Sequence, residues 1–223
     1  MQVSLRNWVD LAIVGLSLCG TVQAQEDPSF DCKKASTPVE HALCAGGNSG
    51  MGWLDQTMSD LYKAALAHAG AQADALRASQ RAWLLRRNQC TGSEGKIMNC
   101  LLKSYDARYA EIAAPYDEQK ITGQYVSKND SGVLDAVLFP DQTLSANIDA
   151  SLGAPSYNQC NATLHVPIKS GVAHYVDPDD VDASGAAHCE ISVTRVGSAF
   201  TVKTAHCDSL CGYGVVLDGT YRR

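Results

Sequence analysis

The cysteines limit what this chain can fold into more than any other feature, because their number and the leader ahead of them decide how its core must be stapled. Nine are present, and the first, Cys19, lies in a short apolar stretch from Leu11 to Gly20 behind a lone Arg6. Val22-Gln23-Ala24 supplies the small residues that a signal peptidase reads, so residues 1–24 are expected to be a signal peptide cleaved after Ala24. Leu18 is a poor fit to the small residue that precedes a lipidated cysteine, so no lipid anchor at Cys19 is expected. Cleavage leaves eight: Cys32, Cys44, Cys90, Cys100, Cys160, Cys189, Cys207 and Cys211. An even count behind an export leader implies disulfides and a periplasmic or secreted location.

Those eight divide four and four between two halves of different character. Residues 32–114 hold 16 Ala but only six Val, Ile or Thr, whereas residues 121–223 hold 23 Val, Ile or Thr. The composition switches from helix-forming to strand-forming. Pro115-Tyr116-Asp117-Glu118-Gln119-Lys120 lies between them, short and polar, and reads as a linker. The expectation is an α+β chain of two domains: a small disulfide-stapled helical domain over 32–114, then an antiparallel all-β domain over 121–223, as a small barrel or a sandwich.

In the first half Thr37, Pro38 and Glu40 have the spacing of a capping box with proline in the first turn, which starts a short helix running to about Cys44. A Gly46-Gly47 turn follows. Apolar residues then recur at helical spacing in three longer segments, through Leu54, Met58, Leu61 and Ala65, through Leu76, Trp83 and Cys90, and through Leu101, Tyr105 and Ile112. In the second half, about seven short β-type runs alternate with turn residues: 124–127, 133–139, 143–149, 163–168, 190–196, 200–204 and 213–221. Gly197-Ser198 is a hairpin turn that brings Cys189 nearly opposite Cys207, making that the preferred bridge and leaving Cys160 to Cys211. Ile121-Thr122-Gly123-Gln124-Tyr125 echoes Leu217-Asp218-Gly219-Thr220-Tyr221, which suggests that the first and last strands are neighbours.

The four N-terminal cysteines, with Asp31, Pro38-Val39-Glu40, Leu54-Asp55, Tyr62, Tyr105, Arg108 and the pattern Gln80-x-x-Trp83-x-x-x-Arg87-x-x-Cys90, resemble the N-terminal domain of the lysozyme-inhibitor LprI family. The resemblance covers about 80 residues and implies an exported inhibitor of lysozyme. Read physically, these positions form a scaffold. Gln80, Trp83, Arg87 and Cys90 share one helix face, where Trp83 fills the core while Gln80 and Arg87 bond helix ends or Asp55. Local bridges Cys32–Cys44 and Cys90–Cys100 would each clamp one end of a helical unit. Sequence alone leaves the crossed pairing open.

Motifs for familiar enzymes are missing: there is no Gly-x-Ser-x-Gly elbow, phosphate loop, His-Glu-x-x-His helix or dinucleotide fingerprint, so catalysis and cofactors are not expected. His188-Cys189, His206-Cys207 and Cys211 superficially suggest a metal cluster, but thiols in an oxidising compartment pair with each other, so no metal is expected. Asp180-x-Asp182-x-Ser184-Gly185 matches part of a calcium loop but lacks its closing carboxylate. Ser170-Gly171 through Tyr175 resembles a Ser-Gly-x-x-Tyr motif used by a separate group of barrel-shaped lysozyme inhibitors, but the tyrosine comes one residue too late, with His174 in its place. It reads as a turn leading into a strand.

Charge carries the remaining signal. The net charge of -6 excludes a phosphate-binding surface, so no nucleic acid is expected. Residues 32–114 hold ten Lys or Arg against seven acids, while 121–223 hold six against eleven, so the acidity belongs to the β half. Asp177, Asp179, Asp180 and Asp182 read as one solvated loop that, with Tyr175, would attract a cationic protein partner such as a lysozyme. The expectation is a stoichiometric inhibitor of lysozyme-like hydrolases. Two alternatives share the export signal: an immunity protein against another periplasmic toxin, and a cell-envelope structural or glycan-binding module, which predicts Trp53, Tyr157 or Tyr213 exposed in a groove. No transmembrane segment is expected in the mature chain, since no later apolar run approaches the roughly 20 residues that a span needs.

Overall fold

The computed structural model describes residues 27–45, 51–128 and 131–223. The expected leader with its cleavage site, Cys19 and the Gly46-Gly47 turn lie outside the described residues. Four α-helices, α1 (Pro38–Cys44), α2 (Met51–His68), α3 (Ala73–Arg87) and α4 (Glu94–Ala113), precede eight strands. The capping box forms as the spacing predicts. The Thr37 hydroxyl accepts from the Glu40 N–H, while the Glu40 carboxylate accepts from the Thr37 N–H at 2.9 Å. None of the helices among the described residues is long and apolar enough to cross a membrane.

The strands are β1 (Gly123–Ser127), β2 (Gly132–Leu138), β3 (Thr143–Ser151), β4 (Gln159–Lys169), β5 (Val172–Val181), β6 (His188–Val196), β7 (Ala199–Ala205) and β8 (Gly219–Arg222). Each pairs antiparallel with the next, and β8 returns to β1 through Val126↔Arg222 and Ser127↔Tyr221, closing a barrel. Of the two β architectures the sequence allowed, the barrel forms. Alternate residues point inward: Leu134, Ala136 and Leu138 of β2, Leu144, Ala146 and Ile148 of β3, and Ala162 and Leu164 of β4 fill the interior with Tyr125 and Phe200.

The Ile121–Tyr125 and Leu217–Tyr221 echo has a structural meaning. Tyr125 donates to the Ile121 carbonyl and Tyr221 to the Leu217 carbonyl, each four residues back. The second residue of each copy, Thr122 or Asp218, accepts a backbone N–H from another strand, Leu138 in one case and Thr204 in the other. The two copies start adjacent strands with the same hydrogen-bonding device.

Three expectations for the strands need correction. Among the described residues there are eight strands and not seven, because Ser170-Gly171 turns β4 directly into β5, with Ser170 and Gly171 both at positive φ. Asp177, Asp179 and Asp180 belong to β5 and not to a loop between strands. Between Val176↔Glu190 and Val181↔His188, β5 carries four residues where β6 carries one, so the acidic run is a bulge on a strand. The run 213–221 is a strand only from Gly219, because Gly212 instead bonds the Gln159 carbonyl and Val215 turns back onto Gly212.

The helical part packs on the outer face of the barrel. Val137 and Phe139, outward-facing at the end of β2, join the core of Leu43, Leu54, Met58, Leu61, Trp83, Leu101 and Tyr105, and Thr57 meets Ser145 at 3.4 Å. Within the connecting segment 115–120, Asp117 is buried, and its carboxylate accepts from the N–H groups of Ile121 and Thr122 at 2.6 Å each.

All four disulfides are local to their half: Cys32–Cys44, Cys90–Cys100, Cys160–Cys211 and Cys189–Cys207. The cysteines beside His188 and His206 are therefore paired with each other. Four bridges fit a protein of the periplasm or the cell exterior.

Candidate binding face

The barrel is least regular between β4 and β5. These strands are 11 and 10 residues long, yet they pair only at Ile168↔Ala173 and Lys169↔Val172. Beyond that the seam is closed by the segment after β7, a 3₁₀ turn at Asp208–Leu210 followed by Cys211 and Gly212. Leu210 and Cys211 pack against the barrel core. The segment is tied to β6 by Cys189–Cys207, to β4 by Cys160–Cys211 and the Gly212 N–H on the Gln159 carbonyl, and to β5 by the Ser209 hydroxyl on the Asp180 carboxylate. A wedge cross-linked to three strands has little freedom to move.

The loops around the wedge expose apolar side chains. Tyr213 is 95% exposed and Tyr157, on the β3–β4 loop, 70%. Asn158 donates to the Tyr213 carbonyl at 2.7 Å, and the Cα side of Gly214 faces Leu152, so the two loops abut. Trp53, by contrast, lies in the helical core at 3% exposure. Of Trp53, Tyr157 and Tyr213, any of which the glycan-module reading expects exposed in a groove, Tyr157 and Tyr213 are exposed.

The acidic residues lie beside this end and are more ordered than a loop would be. Asp177 accepts from the N–H groups of Asp179 and Asp180, Asp180 accepts from Ser209, and Asp182 accepts from Ser184 and from the Ala186 N–H. The Ser184 hydroxyl and the Ala186 N–H draw the Asp182 carboxyl down to about 2. Its place in the partial calcium-loop match is thus a turn held by its own carboxylate. Tyr175 is partly buried against the barrel core, where burial first and then Asp177 and Asp179 raise its pKa. Of the five expected partner-binding residues, Asp177, Asp179 and Asp180 form the bulge, Asp182 shapes the β5–β6 turn and Tyr175 anchors the strand beneath them.

Most of the resemblance residues fall into two buried polar networks, one around Asp55 and one around Arg108. The Asp55 carboxylate of α2 accepts from Arg87 of α3 at 3.0 Å, from the Tyr105 hydroxyl of α4 at 2.5 Å and from Ser29. Arg108, 1% exposed, donates to Gln80 and Ser79 and pairs with Glu111 at 2.8 Å. Trp83 stacks edge-on against Tyr105 and donates to Ser104, and Tyr62 packs at the margin of the core. Asp55, Gln80, Trp83, Arg87, Tyr105 and Arg108 thus each spend polar atoms on partners within the helical part, as structural residues do.

Sequence reasoning missed a second polar cluster, on the outer barrel face beneath α4. Asp135 of β2 lies opposite Asn147 of β3, and Asp149 is two residues further along, a diagonal neighbour at roughly 7–8 Å in an antiparallel pair. Burial, with the carboxylates of Asp106 and Asp149 adding to it, pushes Asp135 up to about 7. Burial also raises Asp149, against the pull of the Asn161 and Asn147 amides, and raises Asp106 on α4. The alternation of Leu134-Asp135-Ala136 marks Asp135 as outward-facing, but nothing in the pattern shows that a helix covers it. A cavity of about 250 Å³ lies at the other barrel end, lined by Tyr116, Glu118, Gln119, Ile121, Leu138 and Gln142, and includes none of these carboxylates. Comparison with protein-family models, curated proteins and solved structures returned no match to this chain.

Proposed function

We propose that this chain is an exported binding protein of the LprI-like type, cleaved after Ala24 and built as two domains over 32–114 and 121–223, which blocks a lysozyme-like cell-wall hydrolase stoichiometrically. The observation that carries the reading is the hydrogen-bonded acidic bulge on β5, placed on a disulfide-stapled barrel where acids outnumber basic residues. Ordered carboxylates attract a cationic partner at long range and add little ordering cost on contact. The resemblance of the helical half to lysozyme inhibitors supplies the class of partner.

The experiment is binding of purified, oxidised protein to c-, g- and i-type lysozymes at several salt concentrations. Asp177→Asn with Asp179→Asn and Asp180→Asn should slow association and flatten the salt dependence of affinity, with the disulfides and the circular dichroism spectrum unchanged. An unchanged affinity and salt slope would remove the bulge from the contact. The exposure of Tyr157 and Tyr213 favours a second reading, an envelope-glycan module, which predicts retention on purified peptidoglycan without lysozyme.

A further inference from the structure

Two of the four disulfides hold the wedge whose next residue, Tyr213, is the most exposed large apolar side chain of the described residues. An aromatic ring at 95% exposure gains nothing for the fold, yet its backbone is fixed by the Cys160–Cys211 bridge, by Gly212 on Gln159 and by the Asn158 amide on its own carbonyl. The Cβ position of Gly212 comes within 2.9 Å of Asn158, so the wedge and the β3–β4 loop are in close contact. That second loop presents Tyr157 and Leu152, at 70% and 38% exposure. On the other side of the wedge, Ser209 bonds Asp180 of the acidic bulge. Apolar anchors and an ordered acidic border therefore share one end of the barrel, away from the 115–120 segment that joins the helical part. Rigid tyrosines with two torsions each, ringed by charge, are what tight protein contacts use at their centre, because little side-chain freedom is lost on binding.

We propose that this end, with Tyr213 as the central anchor, Tyr157 and Leu152 beside it and the β5 bulge as its rim, docks a basic protein that receives the Tyr213 ring in a concave site. The inference rests on the binding reading above and names the part of the surface that makes the contact. Charge selects the occupant. Asp180 is bonded to Ser209 of the wedge, with Asp177 and Asp179 beside it in the bulge, so a second copy of this chain would bring like charges together, whereas a cationic surface is attracted. The rim sets the rate of encounter and the anchors set how long the complex lasts.

The test is surface plasmon resonance with c-, g- and i-type lysozymes as the probes. Tyr213→Ala is expected to weaken affinity at least tenfold, mainly through faster dissociation, and to leave the salt slope unchanged, with a smaller loss for Tyr157→Ala. Tyr213→Phe should retain most of the affinity, since the ring and not the hydroxyl is the anchor. Leu85→Ala, at an apolar residue 70% exposed on α3, should bind as the parent does. If lysozyme binds the parent and both tyrosine-to-alanine variants stay within twofold of it, the docking face is wrong while the binder reading survives. If none of the three lysozymes binds at micromolar protein, the binder reading and this inference fall together.

Discussion

Asp55 shows how a residue recognisable in sequence serves to hold a fold together. Its carboxylate is 5% exposed and holds α2, α3 and α4 together through Arg87 and Tyr105. Removing one member of a buried ion pair strands the other charge, so Asp55→Ala should cost roughly 3–5 kcal/mol in urea unfolding, and Arg87→Ala a similar amount. A loss below about 1 kcal/mol would show that the pair is not desolvated. Asp135 makes a different prediction. A carboxyl whose folded pKa lies above its unfolded value near 4 binds its proton more tightly in the native state, so its contribution is fully present below about pH 4 and lost as pH rises through about 7. Stability should therefore fall between about pH 4 and about pH 7. Asp135→Asn preserves an acceptor for Gln124 and should flatten that fall, leaving the variant more stable at pH 8 by roughly 1–3 kcal/mol. Parallel pH profiles for parent and variant would locate the titration elsewhere.

At the scale of elements, the sequence was most legible where local chemistry decides the outcome. Thr37, Pro38 and Glu40 start α1 because their groups satisfy each other within four residues. Gly197-Ser198 turns β6 into β7 in two residues, which alone brings Cys189 beside Cys207. The repeated Gly-x-Tyr pattern marks β1 and β8, which are neighbours in the barrel and in each of which the tyrosine bonds the carbonyl four residues back. Legibility failed where long-range contacts decide. Asp177-Pro178-Asp179-Asp180 has the composition of a loop, and only pairing of its flanks with β6 makes it a bulge. Tyr213 to Leu217 has strand-like residues, but the Cys160–Cys211 bridge and the Gly212–Gln159 bond draw the chain into the seam first. The wedge yields its own prediction. Replacing Cys160 and Cys211 together by alanine opens a loop of 51 residues' separation, which chain-entropy arguments value at roughly 4 kcal/mol. The variant should lose about that much stability and become sensitive to limited proteolysis between 207 and 216. Cleavage no faster than in the parent would mean that packing of Leu210, and not the bridge, holds the wedge.

The whole molecule divides its labour by surface. The helical part spends its buried polar residues internally, in the Asp55 and Arg108 networks, and covers the outer face of the barrel near β2. The barrel leaves its far end uncovered, with Tyr157 and Tyr213 exposed and the acidic bulge beside them. Four disulfides staple both parts, and rigidity is what the proposed binding role needs to block a partner at low entropic cost. The most direct measurement is turnover of bacterial cell walls by c-, g- and i-type lysozymes while purified, oxidised protein is titrated in. The account predicts that at least one type is inhibited, that inhibition saturates near one-to-one, and that raising the salt weakens it. Full activity of all three lysozymes at micromolar protein would contradict it.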